Sequence, residues 1–292
     1  MKIRVFTIIS LFFLLTASKC DSDEPTYTDP VVKDRTEQYL EVEKDSIMNF
    51  MQTHRYILDA QYNVEIDTLD DPLNQTSIWD DPNLQVKQVT DPEVENLVYD
   101  LYYIPFTLGT QKQIDKYDRV LIGYKGLTFD RKIFDLAVDH LPNWIFIPST
   151  IKAWQEIIPL FKDGSFTPNN DGSVTFSGYG AGMLITPSGL AYYNRAQTSI
   201  PAYSPLIFSF KTFLDDKDND NDLVPNAIED LNQDGDPTND NTDGDNLPNY
   251  IDDDDDNDGV KTKDEDTNQD GDPTNDDSDG DGIPNYLDKD TH

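Results

Sequence analysis

Val120-Leu121-Ile122-Gly123-Tyr124-Lys125-Gly126 reads as a β-strand, with Val120, Ile122 and Tyr124 on alternate positions. Val98, Leu101 and Tyr103 mark another strand before it. After it, Ile151, Trp154, Ile158 and Phe161 fall on one helical face, so the spacing predicts a short helix over 150–162. Val174-Thr175-Phe176, Met183-Leu184-Ile185 and Leu206-Ile207-Phe208-Ser209-Phe210 return to strand. Strands, one short helix and more strands predict an α+β domain whose helix packs on one face of an antiparallel sheet. Upstream, residues 34–58 place Leu40, Val42, Ile47, Phe50 and Met51 at roughly helical spacing, which predicts an amphipathic helix. Residues 60–92, rich in Asp, Asn and Pro, predict irregular or short-strand structure.

The same stretch carries a family pattern. Val120 to Gly126 resembles the "V-x-V-x-Y-x-G" strand of the FKBP family, and Phe134-Asp135 follows at the spacing of its "F-D" pair. Ile151-Lys152-Ala153-Trp154 resembles "V-I-x-G-W", with Ala153 in place of glycine. Ile185-Thr186-Pro187-Ser188-Gly189-Leu190-Ala191-Tyr192 resembles "I-P-x-x-L-A-Y-G", with Tyr193 where glycine is usual. Ile200-Pro201 followed by Leu206-Ile207-Phe208 resembles "I-P-x-x-x-x-L-x-F". The motifs occur in order across about 97–214, and 163–180 looks like an insertion between helix and strand.

The resemblance implies peptidyl-prolyl cis-trans isomerase activity and a proline-containing polypeptide as substrate. It implies that Trp154 floors a pocket walled by Tyr124, Phe134, Ile151, Tyr192, Ile200 and Phe208. Asp135 and the Tyr192 hydroxyl would orient peptide carbonyls, and the aromatic on the strand before the helix would be Trp144, with Phe146 the alternative. Such catalysis requires no cofactor and no nucleophile. Rotation about an amide faces a barrier of about 18–20 kcal/mol. The twisted transition state is less polar than the planar amide, so an apolar pocket that excludes water favours it. No Ser/His/Asp or Cys/His arrangement, phosphate loop or zinc motif competes in the sequence.

Charge divides the 292-residue chain. The formal net charge is −35, and residues 215–292 carry 29 Asp and Glu against 4 Lys, a net of −25. That balance disfavours nucleic acid as a partner and favours a cation. His54, His140 and His292 are scattered and suggest no zinc site. Within the acidic part, Asn232 to Asp240 recurs letter for letter as Asn268 to Asp276, a period of 36 residues.

Each unit places oxygen-bearing side chains at positions 1, 3, 5 and 12 of a loop, often with glycine at 6, which is the ligand logic of calcium. The first unit offers Asp218, Asp220, Asp222 and Glu229, then Asp230, Asn232, Asp234 and Asn241, then Asn241, Asp243, Asp245 and Asp252. The second offers Asp254, Asp256, Asp258 and Glu265, then Asp266, Asn268, Asp270 and Asp277, then Asp277, Asp279, Asp281 and Asp288. No amphipathic helices flank the loops, so the arrangement resembles thrombospondin type 3 repeats rather than EF-hands. That resemblance implies an irregular chain wound on calcium ions.

At the other end, Lys2 and Arg4 precede an apolar run from Val5 to Leu15, too short for a membrane span and suited to a signal peptide. Cys20, the only cysteine, excludes an intramolecular disulfide and resembles a bacterial lipobox cysteine. Lys19 departs from the small residue usual before that cysteine. Lipidation at Cys20 would anchor the chain in a membrane. The acidic stretch Asp21 to Glu24 resembles the export signal of surface lipoproteins in Bacteroidetes.

The expected layout is therefore a lipoprotein signal (1–19), a tether (20–33), a helical and irregular extension (34–93), an FKBP-type domain (94–214) and calcium-binding repeats (215–292). The expected location is the bacterial cell envelope as an outer-membrane lipoprotein, with surface display as a variant of that address. A rival of another class is a non-enzymatic, calcium-dependent surface binding or adhesion protein on the same fold.

Overall fold

The strands flanking Tyr124 pair into one seven-stranded antiparallel sheet. The computed structural model describes residues 32–291. Helix α1 (residues 35–53) leads into a hairpin of β1 (His54–Leu58) and β2 (Val64–Thr68). There follow β3 (Gln85–Thr90), β4 (Val98–Leu108), β5 (Arg119–Thr128), β6 (Ile133–Ala137) and β7 (Asn143–Phe146). Helix α2 (Lys152–Ile157) precedes a second hairpin, β8 (Ser165–Pro168) and β9 (Val174–Ser177), then β10 (Gly180–Thr186) and β11 (Leu206–Asp216). The sheet order is β3-β4-β10-β11-β5-β6, with β7 also paired to β5. Residues 33–291 form one compact unit.

Period-2 alternation sends side chains to two separate cores. Val120, Ile122 and Tyr124 on β5, Leu184 on β10, and Leu206, Phe208 and Phe210 on β11 face α2, packing with Trp154, Ile157, Ile158 and Phe161. Met183, Ile185, Ile207 and Leu127 face the other way, against Ile47, Phe50 and Met51 of α1 and Val64 of β2. The sheet is thus covered on both faces, which is why every residue of β10 is buried. The insertion at 163–180 forms the β8–β9 hairpin, and its Phe176 stacks on Phe213 of β11 at 4.4 Å.

Three sequence expectations shift. The N-terminal helix ends at Thr53 instead of 58, and the last five residues form β1. Its middle turn, Gln38–Glu43, is π-helical. The wider turn rotates the buried face, so Tyr39 and Glu43 point inward while Leu40 and Val42 are exposed. Helix α2 stops at Ile157 and continues only as a 3₁₀ turn, Ile158–Leu160, because Pro159 has no N–H to carry the helix on. The boundary at 93/94 falls inside the sheet, since β3 is its edge strand, and β11 runs two residues past 214.

The acidic repeats fold as loops joined by short 3₁₀ turns. Position 4 of all six loops has positive φ: Asn221, Gln233, Gly244, Asn257, Gln269 and Gly280. Position 6 does so in five, at Leu223, Gly235, Gly259, Gly271 and Gly282, which is the backbone reason glycine recurs there. Hydrogen bonds substitute for a hydrophobic core. Buried Asn226, Asn249 and Asn285 each accept a backbone N–H near the start of their loop, from Asn219, Thr242 and Ser278. The repeats also lie against the sheet. Tyr250 stacks on Phe146 of β7 at 4.5 Å, and the Tyr117 hydroxyl donates to Asp230 at 2.8 Å.

Candidate functional site

Between α2, β5, β6 and the segment after β10 lies a cavity of about 550 Å³. Its lining includes Tyr124, Phe134, Asp135, Ile151, Trp154, Tyr192 and Phe208. Trp154, at the first turn of α2, is buried at the centre of an aromatic cage. Tyr124 meets it edge-on at 5.2 Å and Phe208 at 5.3 Å, while Phe134 meets Phe208 edge-on at 5.5 Å. Such pairs contribute about 0.5–1.5 kcal/mol each beyond the area they bury. Gly126 lies beneath them; a Cβ there would sit 2.5 Å from the Phe134 ring. The Trp154 indole N–H is buried without a hydrogen-bond partner among the described residues.

One polar pair interrupts the apolar wall. The Tyr124 hydroxyl donates to Asp135 at 2.6 Å. Burial, this hydrogen bond and the Asp135 charge together raise the Tyr124 pKa. Burial and the same carboxylate raise that of Tyr192. Both phenols therefore stay protonated at neutral pH and remain hydrogen-bond donors, next to a carboxylate that accepts. The cavity therefore combines an aromatic floor with hydrogen-bonding groups at its wall.

Ile200 lines a smaller adjoining depression with Phe134, Asp135 and Tyr192. Trp144 does not line the cavity. It pairs with Leu121, so it faces away from the core that Val120 and Ile145 enter, and Arg119 lies over its ring at 5.1 Å. Ile145 takes the wall position. Neither Ala153 nor Tyr193, the two departures from the family pattern, lines the cavity. Tyr193 has φ +49, and its ring packs on Arg35 and Tyr203 while its hydroxyl donates to the Lys33 carbonyl.

Sequence reasoning missed the rim. Arg35 of α1 reaches the cavity edge, held by Asp91 at 3.1 Å and Glu93 at 2.6 Å, and donates to the Gly189 carbonyl. Glu93, Lys152 and Arg195 complete a charged rim. Burial alone would raise the pKa of Asp91, but the Tyr99 hydroxyl, two backbone amides and Arg35 hold it below the ordinary carboxylate range. No local pattern marks Arg35, because contacts far apart in sequence bring it there.

In the repeats, four of the expected loops bring three carboxylates within 4.8 Å of one another: Asp218 with Asp220 and Asp222, Asp243 with Asp245 and Asp252, Asp254 with Asp256 and Asp258, and Asp277 with Asp279 and Asp281. Glu265 has a buried oxygen without a donor among the described residues, and burial beside Asp256, Asp258 and Asp254 pushes its pKa up to about 8. Carboxylates gathered in all-oxygen clusters fit a hard cation. The two loops with Asn at position 3 form no such group among the described residues. Asp230 and Asp266 accept the Gly235 and Gly271 amides, as Asp218 and Asp277 accept those of Leu223 and Gly282, and Asp234 and Asp270 accept Asn239 and Asn275 side chains. Asn241 and Asn268 likewise accept backbone amides, and Asn232 accepts that of Asp234. Asp288 does not join the Asp277 group. Cys20 and the signal segment lie outside the described residues. Among the described residues no helix is long and apolar enough to cross a membrane.

No family model matches the chain, and no curated protein does. Solved structures do. A peptidyl-prolyl cis-trans isomerase from Pseudomonas syringae pv. tomato is 24% identical, with 46% of this chain and 82% of that one covered at a TM-score of 0.34. FkpA from Escherichia coli is also 24% identical, with 40% of this chain and 48% of that one covered, again at a TM-score of 0.34.

Proposed function

We propose that the protein is an FKBP-type peptidyl-prolyl cis-trans isomerase of the bacterial envelope, lipid-anchored through Cys20, with calcium-binding repeats at its C-terminal end. The observation that carries the enzymatic reading is the aromatic cage on Trp154 beside the Tyr124–Asp135 pair, formed by residues of the ordered motifs. A prolyl ring seated on Trp154 would leave water, and its amide would twist in an apolar setting that disfavours the planar, more polar ground state. The Tyr192 hydroxyl would hold a neighbouring carbonyl, while Tyr124 stays bonded to Asp135 and fixes that wall as the bond turns. No proton moves and no bond breaks. Exported or surface proteins are the clients this address supplies.

The repeats bind calcium on this reading because their clustered carboxylates offer only oxygen. Isomerisation of a short Xaa-Pro peptide tests the proposal. Acceleration should appear with the wild type and vanish in a folded Tyr124→Ala/Trp154→Ala variant. Peptide binding without acceleration would instead support the non-enzymatic binding protein.

A further inference from the structure

One group of carboxylates belongs to no single loop. Asp222 and Glu229 of the first loop meet Asp255 of the second unit, with ligand oxygens within 4.8 Å of one another. All three side chains are buried, at 0–2% exposure. Both oxygens of Glu229 and both of Asp255 lack a hydrogen-bond donor among the described residues. Among the described residues, the ion pairs in this part of the chain are made by Arg119, Lys217 and Lys261, none of them to these three. Three like charges this close inside a protein repel strongly unless a cation compensates them.

We propose that Asp222, Glu229 and Asp255 hold a divalent hard cation of the calcium class that fastens the first loop to the second repeat unit. The inference rests on the reading that the repeats bind calcium, and adds a ligand that loop spacing does not assign. Asp255 stands between Asp254 and Asp256, the positions 1 and 3 of the fourth loop, so its side chain is free to turn the other way. Three carboxylates supply up to six oxygens, the lower end of what calcium takes, and no nitrogen or sulfur that would favour a softer metal. Asp222 belongs both to this group and to the Asp218–Asp220 group, so the two cations would share it. The site thus joins the first repeat unit to the second.

Calcium stoichiometry of the full chain tests this, by equilibrium dialysis on wild type, Asp255→Asn and the loop control Asp279→Asn. The melting temperature is followed in calcium and in chelator. Asp255→Asn should bind one ion fewer than wild type. It should also melt lower than wild type in calcium, and at or above wild type in chelator, where one buried repelling charge is gone. Glu229→Gln should repeat the pattern, which guards against a folding defect peculiar to one variant. Unchanged stoichiometry in both variants, while Asp279→Asn loses an ion, would overturn this site alone. No calcium bound by the wild type would overturn the calcium reading and this site together.

Discussion

Asp91 shows how single residues fix the rim of the cavity. It is buried, and it takes the Tyr99 hydroxyl at 2.6 Å, the amides of Glu93 and Val94, and the Arg35 guanidinium. Its lowered pKa makes the stabilisation it gives complete above the ordinary aspartate range and lost as pH falls through the lowered value. Asp91→Asn should cost about 1.5–3 kcal/mol at neutral pH, the range for hydrogen bonds to a charged group. It should also flatten the acid side of the stability profile, as read by urea unfolding at a series of pH values; an unaltered profile would refute the assignment. At this scale the sequence was informative where motifs were ordered. Tyr124, Phe134, Asp135, Ile151, Trp154, Tyr192 and Phe208 all line one cavity. It failed by one residue at β7, because shifting a strand by one position exchanges its faces, and Ile145 rather than Trp144 shares the face of Val120. Arg35 had no local signal at all.

Helix α1 is the element whose reading changed most. Apolar spacing alone favours Leu40 and Val42, yet the π turn buries Tyr39 and Glu43. Glu43 accepts the Ser188 amide at 2.8 Å and the Ser188 hydroxyl, and Gln38 donates to it at 3.0 Å, so α1 is tied to the segment that presents Tyr192. Burial raises the Glu43 pKa despite these donors. A carboxyl raised in the folded state releases its proton later than in the unfolded chain. Stability therefore falls as pH rises from the ordinary glutamate range through the raised value. Glu43→Gln should remove that slope while weakening the tie to Ser188 by about 1–3 kcal/mol, the cost of disturbing a buried hydrogen bond. A slope that survives in the variant would place its origin elsewhere. A buried polar anchor of this kind is invisible to hydrophobic periodicity, which is why the helix was legible and its orientation was not.

Across the whole molecule, the sheet joins segments that composition separates. The edge strand β3 comes from the Asp- and Pro-rich stretch, and the repeats lie on the β5–β7 side through Phe146–Tyr250 stacking and the Tyr117–Asp230 hydrogen bond. The repeat period and the α+β order were legible, since each follows from local pattern. The docking of the repeats was not, since it depends on one aromatic pair and a few polar contacts between distant residues. Chelation should leave the sheet folded and loosen the repeats, because their clustered carboxylates then repel. Small-angle scattering should show a larger radius of gyration in chelator than in calcium, and equal radii would contradict a cation-dependent tail. Whether the Trp154 cage turns prolyl bonds is read from the cis–trans exchange rate of an Xaa-Pro peptide measured at equilibrium by NMR. The rate should rise in proportion to the protein added and return to the uncatalysed value with Trp154→Ala. An unchanged rate with folded wild-type protein would contradict isomerisation by the cage.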